Sequence, residues 1–263
     1  MATIVALHAH PDDECITQGG TLAKLADAGH RVVLVYATTG ELGEVPEGLL
    51  ADGESLVERR IAETERSAAV LGVARLVWLG YHDSGMEGLP ENDDPRSFWQ
   101  ADVDEAAGRV AAVLSEEGAE AAIIYDEQGN YGHPDHVQVH RVGVRAVAKA
   151  GTPQVLEATI NRDRLAAYAA EARAAGADME GWPDFEDPSF LLGMPDSRIT
   201  TRIDVGPWLD RKRAAMAAHA TQVGDLGMFL AMDEETFRAA MGTEFFIRHG
   251  VPSDHRDDDL LAD

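Results

Sequence analysis

Cysteine is nearly missing from this chain: Cys15 is the single one among 263 residues. No disulfide can close within the chain, which fits a reducing compartment, so a cytoplasmic location is expected. Lysine is almost as scarce, present only at Lys24, Lys149 and Lys212. Arginine supplies the other positive charges, which reads as a coding bias rather than as a site. Positive charge is itself short. The 22 Lys and Arg residues face 47 Asp and Glu, leaving a formal net charge of −25. Such a surface repels nucleic acid and anionic membranes, and neither is expected as a partner. No apolar run reaches the ~18 residues of a membrane span. The opening MATIVALHAH has no basic stretch and no small-residue cleavage site, so a signal peptide is not expected. There is no internal repeat of about 20–50 residues, which excludes a solenoid.

What is present is apolar residue, 45% of the chain and ample for one core. Residues 3–7, 31–38, 75–80, 121–126 and 154–160 are short, solidly apolar runs that predict buried strands. Helical spacing is found over residues 15–28, 55–71, 103–114 and 137–150, with Gly29 and Gly72 as C-caps. Strands that alternate with helices predict an α/β fold, Rossmann-like, with a mostly parallel sheet and helices on both faces. One domain is expected over residues 1–253, with a core at 1–160 and a C-terminal part at 161–253 completing the pocket. The latter holds an Ala-rich helix, the loop-like EGWPDFEDPSFLLGMPDS (residues 180–197) and a helix over 207–221. Residues 254–263 read as an acidic, mobile tail.

The polar residues cluster where the strands end. AHPDDE (residues 9–14) follows the first strand, and DEQGNYGHPDHVQVH (126–140) follows the fourth. TTGELGEV (38–45) follows the second strand and YHDSGMEG (81–88) the third. In a doubly wound sheet of order 3-2-1-4-5, strands one and four flank the switch point, and ligands bind at the carboxyl ends of the strands there. The two His/Asp-rich turns would meet in that crevice. Together they offer two imidazoles and a carboxylate, the usual protein ligands of a catalytic zinc that keeps a position for water. The metal lowers the pKa of that water to about 7. A second carboxylate could take the water's proton, and a further histidine could stabilise an oxyanion or protonate a leaving group.

At these residues the chain resembles the PIG-L (LmbE-like) family of zinc-dependent N-deacetylases. AHPDDE and YGHPDH (131–136) carry the resemblance, with TTGELGEV, DSGM (83–86) and AHATQV (218–223) in support. It is closest in flavour to the actinobacterial mycothiol branch, which includes the deacetylase of N-acetylglucosaminyl-inositol and the mycothiol-conjugate amidase. The resemblance implies His10, Asp13 and His136 as metal ligands and Asp12 as the general base. It implies His133 as electrostatic stabiliser and acid toward the amine, Asp135 as the group that orients and polarises His133, and Tyr131 near the oxyanion. Arg60, Glu44 and Asp83 match sugar-contact positions, and His219 falls in a segment that would line the pocket. The implied cofactor is Zn2+, although a His₂Asp set also suits Fe2+ or another divalent metal. The implied partner is a small N-acyl amino sugar, and a homo-oligomer is compatible with it.

Blander roles are expected for the remaining polar groups. His8 packs with its strand, Glu14 caps the next helix and supports the site from behind, and Cys15 is helix packing. His140 shares a helix face with His136 as a supporting partner. Three rival functions stay open: an amidase acting on a larger thiol conjugate, a metallo-phosphoesterase and a non-catalytic sugar-binding domain. A phosphoesterase of the barrel type would need His/Asp clusters after many more strands. TQGGTLA (17–23) lacks the G-x-G-x-x-G of a dinucleotide site, and the first turn is acidic where a pyrophosphate would need amides.

Overall fold

In the computed structural model, which describes residues 1–174, 176 and 191–261, five parallel strands form the centre. They are β1 (Thr3–His8), β2 (Arg31–Tyr36), β3 (Arg75–Trp78), β4 (Ala121–Tyr125) and β5 (Gln154–Thr159). Two further strands, β6 (Thr201–Asp204) and β7 (Thr243–Arg248), complete a seven-stranded sheet of order β3-β2-β1-β4-β5-β7-β6. β7 runs antiparallel to β5, and β6 antiparallel to β7. The expected 3-2-1-4-5 order is therefore present, extended by two strands that the apolar pattern did not reveal. Their sequences, TRID and TEFFIR, carry charges that a run-based reading rejects.

Those charges find partners inside. Glu244, 2% exposed, accepts the N–H groups of Gly20 (2.9 Å) and Thr21 (2.7 Å) and the buried Lys212 Nζ (2.7 Å). It thereby satisfies donors at the start of a helix, where a carboxylate is also favoured by the dipole. That helix, α2 (Gly19–Asp27), is separated from α1 (Asp13–Thr17) at Gln18, so the single helix expected over 15–28 is two. Gly20 also passes so close to Val205 that a Cβ would collide with its side chain.

α3 (Leu56–Leu71) starts at a Ser55/Glu58 capping box and ends at Gly72, φ 80°. α4 (Val103–Glu116) is capped by Asp102. A short kinked turn, α5 (Gly129–Gly132), leads into α6 (Pro134–Ala150), which begins three residues before the expected 137 because Pro134 suits a first turn. α7 (Arg162–Ala174) matches the Ala-rich stretch. The helix expected over 207–221 is α8 (Leu209–Ala218), preceded by a 3₁₀ turn and ended by His219 at ψ 60°. α9 (Val223–Leu230) and α10 (Glu234–Met241) follow it.

The sheet alternation splits the core into two layers. Ile4, Ala6, Leu34 and Ile123 pack with Leu22, Ala215 and Met216 on the α2/α8 side. Val5, Leu7, Val33 and Ile124 pack with Val110, Val139 and Val142 on the α4/α6 side. The expected mobile tail is instead docked as far as residue 261. Asp257 exchanges backbone bonds with Arg202 and Thr200 (both 3.0 Å), Arg248 donates to the Leu260 carbonyl at 3.0 Å, and Leu260 is 3% exposed. Residues 262–263, and 180–190 of the expected loop, lie outside the described residues.

Candidate metal centre and catalytic pocket

The turn after β1 is built around Asp12, whose φ of 97° is unusual for a residue with a Cβ. Its N–H is held by Glu14 Oε2 at 2.9 Å, and its carbonyl accepts the Cys15 N–H at 3.0 Å and the Cys15 thiol at 2.8 Å. Pro11 removes one donor before it, and the Pro11 carbonyl accepts Arg60 Nη2 at 2.5 Å. The left-handed twist separates the two adjacent aspartates. Asp13 Oδ2 accepts the His10 N–H at 2.8 Å and lies 3.7 Å from His10 Nδ1, while Asp13 Oδ1 lies 3.3 Å from His136 Nε2. Asp12 Oδ2 lies 3.4 Å from Arg60 Nη2.

The second turn comes from β4. Asp126 accepts the N–H groups of Gln128 and Asn130 (both 3.0 Å) and the Thr159 hydroxyl (2.5 Å), which folds the loop back. Gly129, φ 63°, crosses the His136–Val137 backbone where a Cβ would clash, so only glycine fits. His136 Nε2 arrives 3.3 Å from His10 Nδ1.

Two imidazole nitrogens and one carboxylate thus lie 3.3–3.7 Å apart. A tetrahedral zinc with bonds of about 2.0–2.1 Å has ligand–ligand edges of about 3.4 Å, so the set fits a divalent cation. Two other groupings share His10 and bring donor atoms within 4.8 Å of one another: His10 with His133 and His136, and His10 with Asp83 and Asp135. His10 Nε2 meets Asp135 Oδ2 at 3.1 Å. A carboxylate only accepts, so Nε2 carries the hydrogen and Nδ1 of the neutral ring keeps its lone pair for the Asp13/His136 side.

Electrostatics point the same way. Burial works against charge on His10, yet Asp83, Asp135 and Asp13 raise its pKa well above 6.5. The carboxylates there favour a cation. Burial, then His10, hold His136 well below 6.5, so it stays in the neutral form a metal needs. Burial lifts the Asp12 carboxyl to about 7, with Arg60 opposing the rise and Asp13 adding to it. Burial opposes charge on Asp83, but His10 beside it holds the carboxyl below its usual range. His133 is pushed down to about 3 by burial and by His10 and His136, and is neutral. Its Nδ1 accepts the Asp135 N–H at 3.2 Å, which places the ring hydrogen on Nε2.

A cavity of about 570 Å³ opens over these groups. His10, Asp12, Asp13, His133, His136, Tyr131, Glu44, Arg60 and Asp83 all line it. Leu42, Met86, Leu89 and Phe229 give it apolar walls, and Gln222 adds an amide. The profile of the family described as PIG-L, GlcNAc-PI de-N-acetylase, matches residues 5–147. The chain belongs to the PIG-L family.

Relatives cover nearly its whole length. A 1D-myo-inositol 2-acetamido-2-deoxy-alpha-D-glucopyranoside deacetylase from Acidothermus cellulolyticus is 42% identical over 99% of this chain and 94% of its own. One of the same name from Thermobifida fusca is 41% identical over 94% and 93%. Among solved structures, N,N'-diacetylchitobiose deacetylase from Pyrococcus horikoshii superposes with a TM-score of 0.58 at 25% identity, over 96% of this chain and 84% of that one.

Three PIG-L positions sit differently from the expectation. The Asp135 carboxylate, fully buried, does not reach over to the His133 ring. It faces His10 and is fixed by the Ser84 N–H (2.9 Å) and hydroxyl, so Asp135 touches His133 only through its backbone N–H. His219 was expected along the pocket wall. Instead it is 1% exposed, behind the turn, with Nε2 on Glu14 at 2.7 Å. Arg60 does line the cavity, but it is 3% exposed and its guanidinium bonds the Gly40 and Pro11 carbonyls, so it braces the turn.

His8 keeps to its strand, whereas His140, expected to support His136, bonds elsewhere. His8 is buried in β1 with Nδ1 3.1 Å from the Tyr125 hydroxyl. His140 Nδ1 bonds the Tyr125 carbonyl at 3.1 Å and faces Glu157, away from the centre. Tyr125, Ser84 and Gln222 are site residues that the motifs did not single out. Ser84 stood inside DSGM, and only its neighbour Asp83 had drawn attention.

Proposed function

We propose that the protein hydrolyses the N-acetyl amide of an N-acetylglucosamine glycoside, with a glucosaminyl-inositol as the favoured substrate. His10, Asp13 and His136 hold one divalent metal, Zn2+ first and Fe2+ second. The observation that carries this is the donor triangle of 3.3–3.7 Å with Asp12 and His133 on the same cavity. Near full-length identity of about two in five residues to deacetylases of that glycoside supports the substrate.

A divalent cation there supplies Lewis acidity: it lowers the pKa of water and polarises a carbonyl. The chain's residues supply the rest. Asp12, with a carboxyl near 7, takes a proton from the attacking water. Neutral His133, its hydrogen on Nε2, donates to the oxyanion that forms on the acetyl carbonyl. Asp12, carrying the proton taken from water, passes it to the amine nitrogen as the C–N bond breaks. Tyr131 Oη, 3.4 Å from His136 Nε2, lines the same cavity. Glu44 and Asp83 face the cavity with acceptors for sugar hydroxyls. Leu42, Met86 and Leu89 flank them.

Amine release from N-acetylglucosaminyl-inositol by protein reconstituted with each metal tests this. Zinc- or iron-dependent release of one amine and one acetate is expected. No amine from any N-acetylglucosaminide, with phosphate released from phosphomonoesters, would overturn it.

A further inference from the structure

Asp12 is one of two non-glycine residues with positive φ among the described residues, and something must hold it there. The brace is Glu14. Oε2 accepts the Asp12 N–H at 2.9 Å, while Oε1 accepts the Ser67 hydroxyl at 2.5 Å and His219 Nε2 at 2.7 Å. Glu14, Ser67 and His219 are all 0–1% exposed, and His219 comes from 205 residues away at the end of α8. Thr221 locks the same segment to α3 through Glu63, at 2.5 Å from its hydroxyl.

His219 does little else. Its Nδ1 is buried without a protein partner among the described residues, a cost that an apolar side chain would avoid. Its one strong contact is Glu14. Glu14, Cys15 and His219 do present donor atoms within 4.8 Å of one another. Those donors are already engaged: the carboxylate by three hydrogen bonds and the thiol by the Asp12 carbonyl at 2.8 Å.

We infer that Glu14, aimed by His219 and Ser67, is a positioning residue for the Asp12 base, pinning the Asp12 backbone so that its carboxylate faces the cavity while Asp13 turns to His10 and His136. This rests on the reading of Asp12 as the base. The C-terminal part then governs the reaction through one buried imidazole that never meets the substrate.

The test compares His219→Ala, His219→Gln, Ser67→Ala and Asp12→Ala with wild type in kcat, KM, bound metal and the crystallographic φ of residue 12. Expected for His219→Ala is a fall in kcat of about 10- to 100-fold, the range for partners of site residues. KM should stay within about threefold, metal near one per chain, and Asp12 should leave positive φ. His219→Gln, whose amide can donate to Glu14, should recover most of the kcat. Ser67→Ala, a small change, should lower kcat less and keeps the question open to an answer if His219→Ala does not fold. Wild-type kcat in folded, metal-loaded His219→Ala or Ser67→Ala, with Asp12 still at positive φ, would overturn the inference. Full activity in Asp12→Ala would instead overturn the assignment of the base.

Discussion

Residues 1–160 place His10, Asp12, Asp13, His133 and His136 on the cavity, in the turns and first helical residues that follow β1 and β4. The part after residue 160 places Gln222 and Phe229 on its wall and His219 behind it. One part carries the chemistry and the other holds it in shape. His10 also meets His136, 126 residues on, but within the first part each turn packs its donors close together in sequence. His10 and Asp13 are three residues apart, whereas His219 and Glu14 are 205 apart.

Removing a donor from the first part should break the contrast most severely. His10→Ala is expected to abolish both metal retention and amine release, checked by elemental analysis beside the assay. Asp12→Asn should sharpen the division within that part. It is expected to keep the metal and to lose about 100- to 10,000-fold in kcat, the worth of a general base.

A smaller effect should come from the seam between the parts. Lys212→Met leaves the buried Glu244 carboxylate with only the Gly20 and Thr21 amides, and a loss of about 3 kcal/mol is expected in denaturant unfolding. Smallest is His249, half-exposed just past the end of β7, beside β5. Its bond to Glu157 and the charge there raise its pKa above 6.5, with burial opposing. A raised folded-state pKa stabilises below the unfolded value and fades as pH climbs through the folded one. The unfolding free-energy gap between wild type and His249→Gln should therefore be largest below pH 6.5 and vanish above the raised value. Solvent screening keeps it under about 1 kcal/mol.

The same contrast explains what could be read in advance. The parallel strands declared themselves because β1, β2 and β4 are buried on both faces and so are apolar without interruption. The metal ligands were legible because each turn packs its chemistry into a few residues beside a proline. β7 was hidden because Glu244 and Arg248 look like surface residues until Lys212, Gly20, Asp257 and Leu260 are brought to them. The motif could not show where Asp135 points. A carboxylate two residues after His133 and 125 after His10 faces the distant partner because Ser84, from the loop after β3, fixes it. The tail DDDLL (257–261) reads as solvated charge, yet its backbone pairs with β6 and its leucine is buried.

Anomalous diffraction at the zinc edge from crystals of the reconstituted protein tests the central claim most directly. One strong peak is expected about 2.0–2.2 Å from His10 Nδ1, His136 Nε2 and an Asp13 oxygen, with the Asp12 carboxylate beside it and not bound. A peak held instead by His10 with Asp83 and Asp135, or by Glu14, Cys15 and His219, would contradict it.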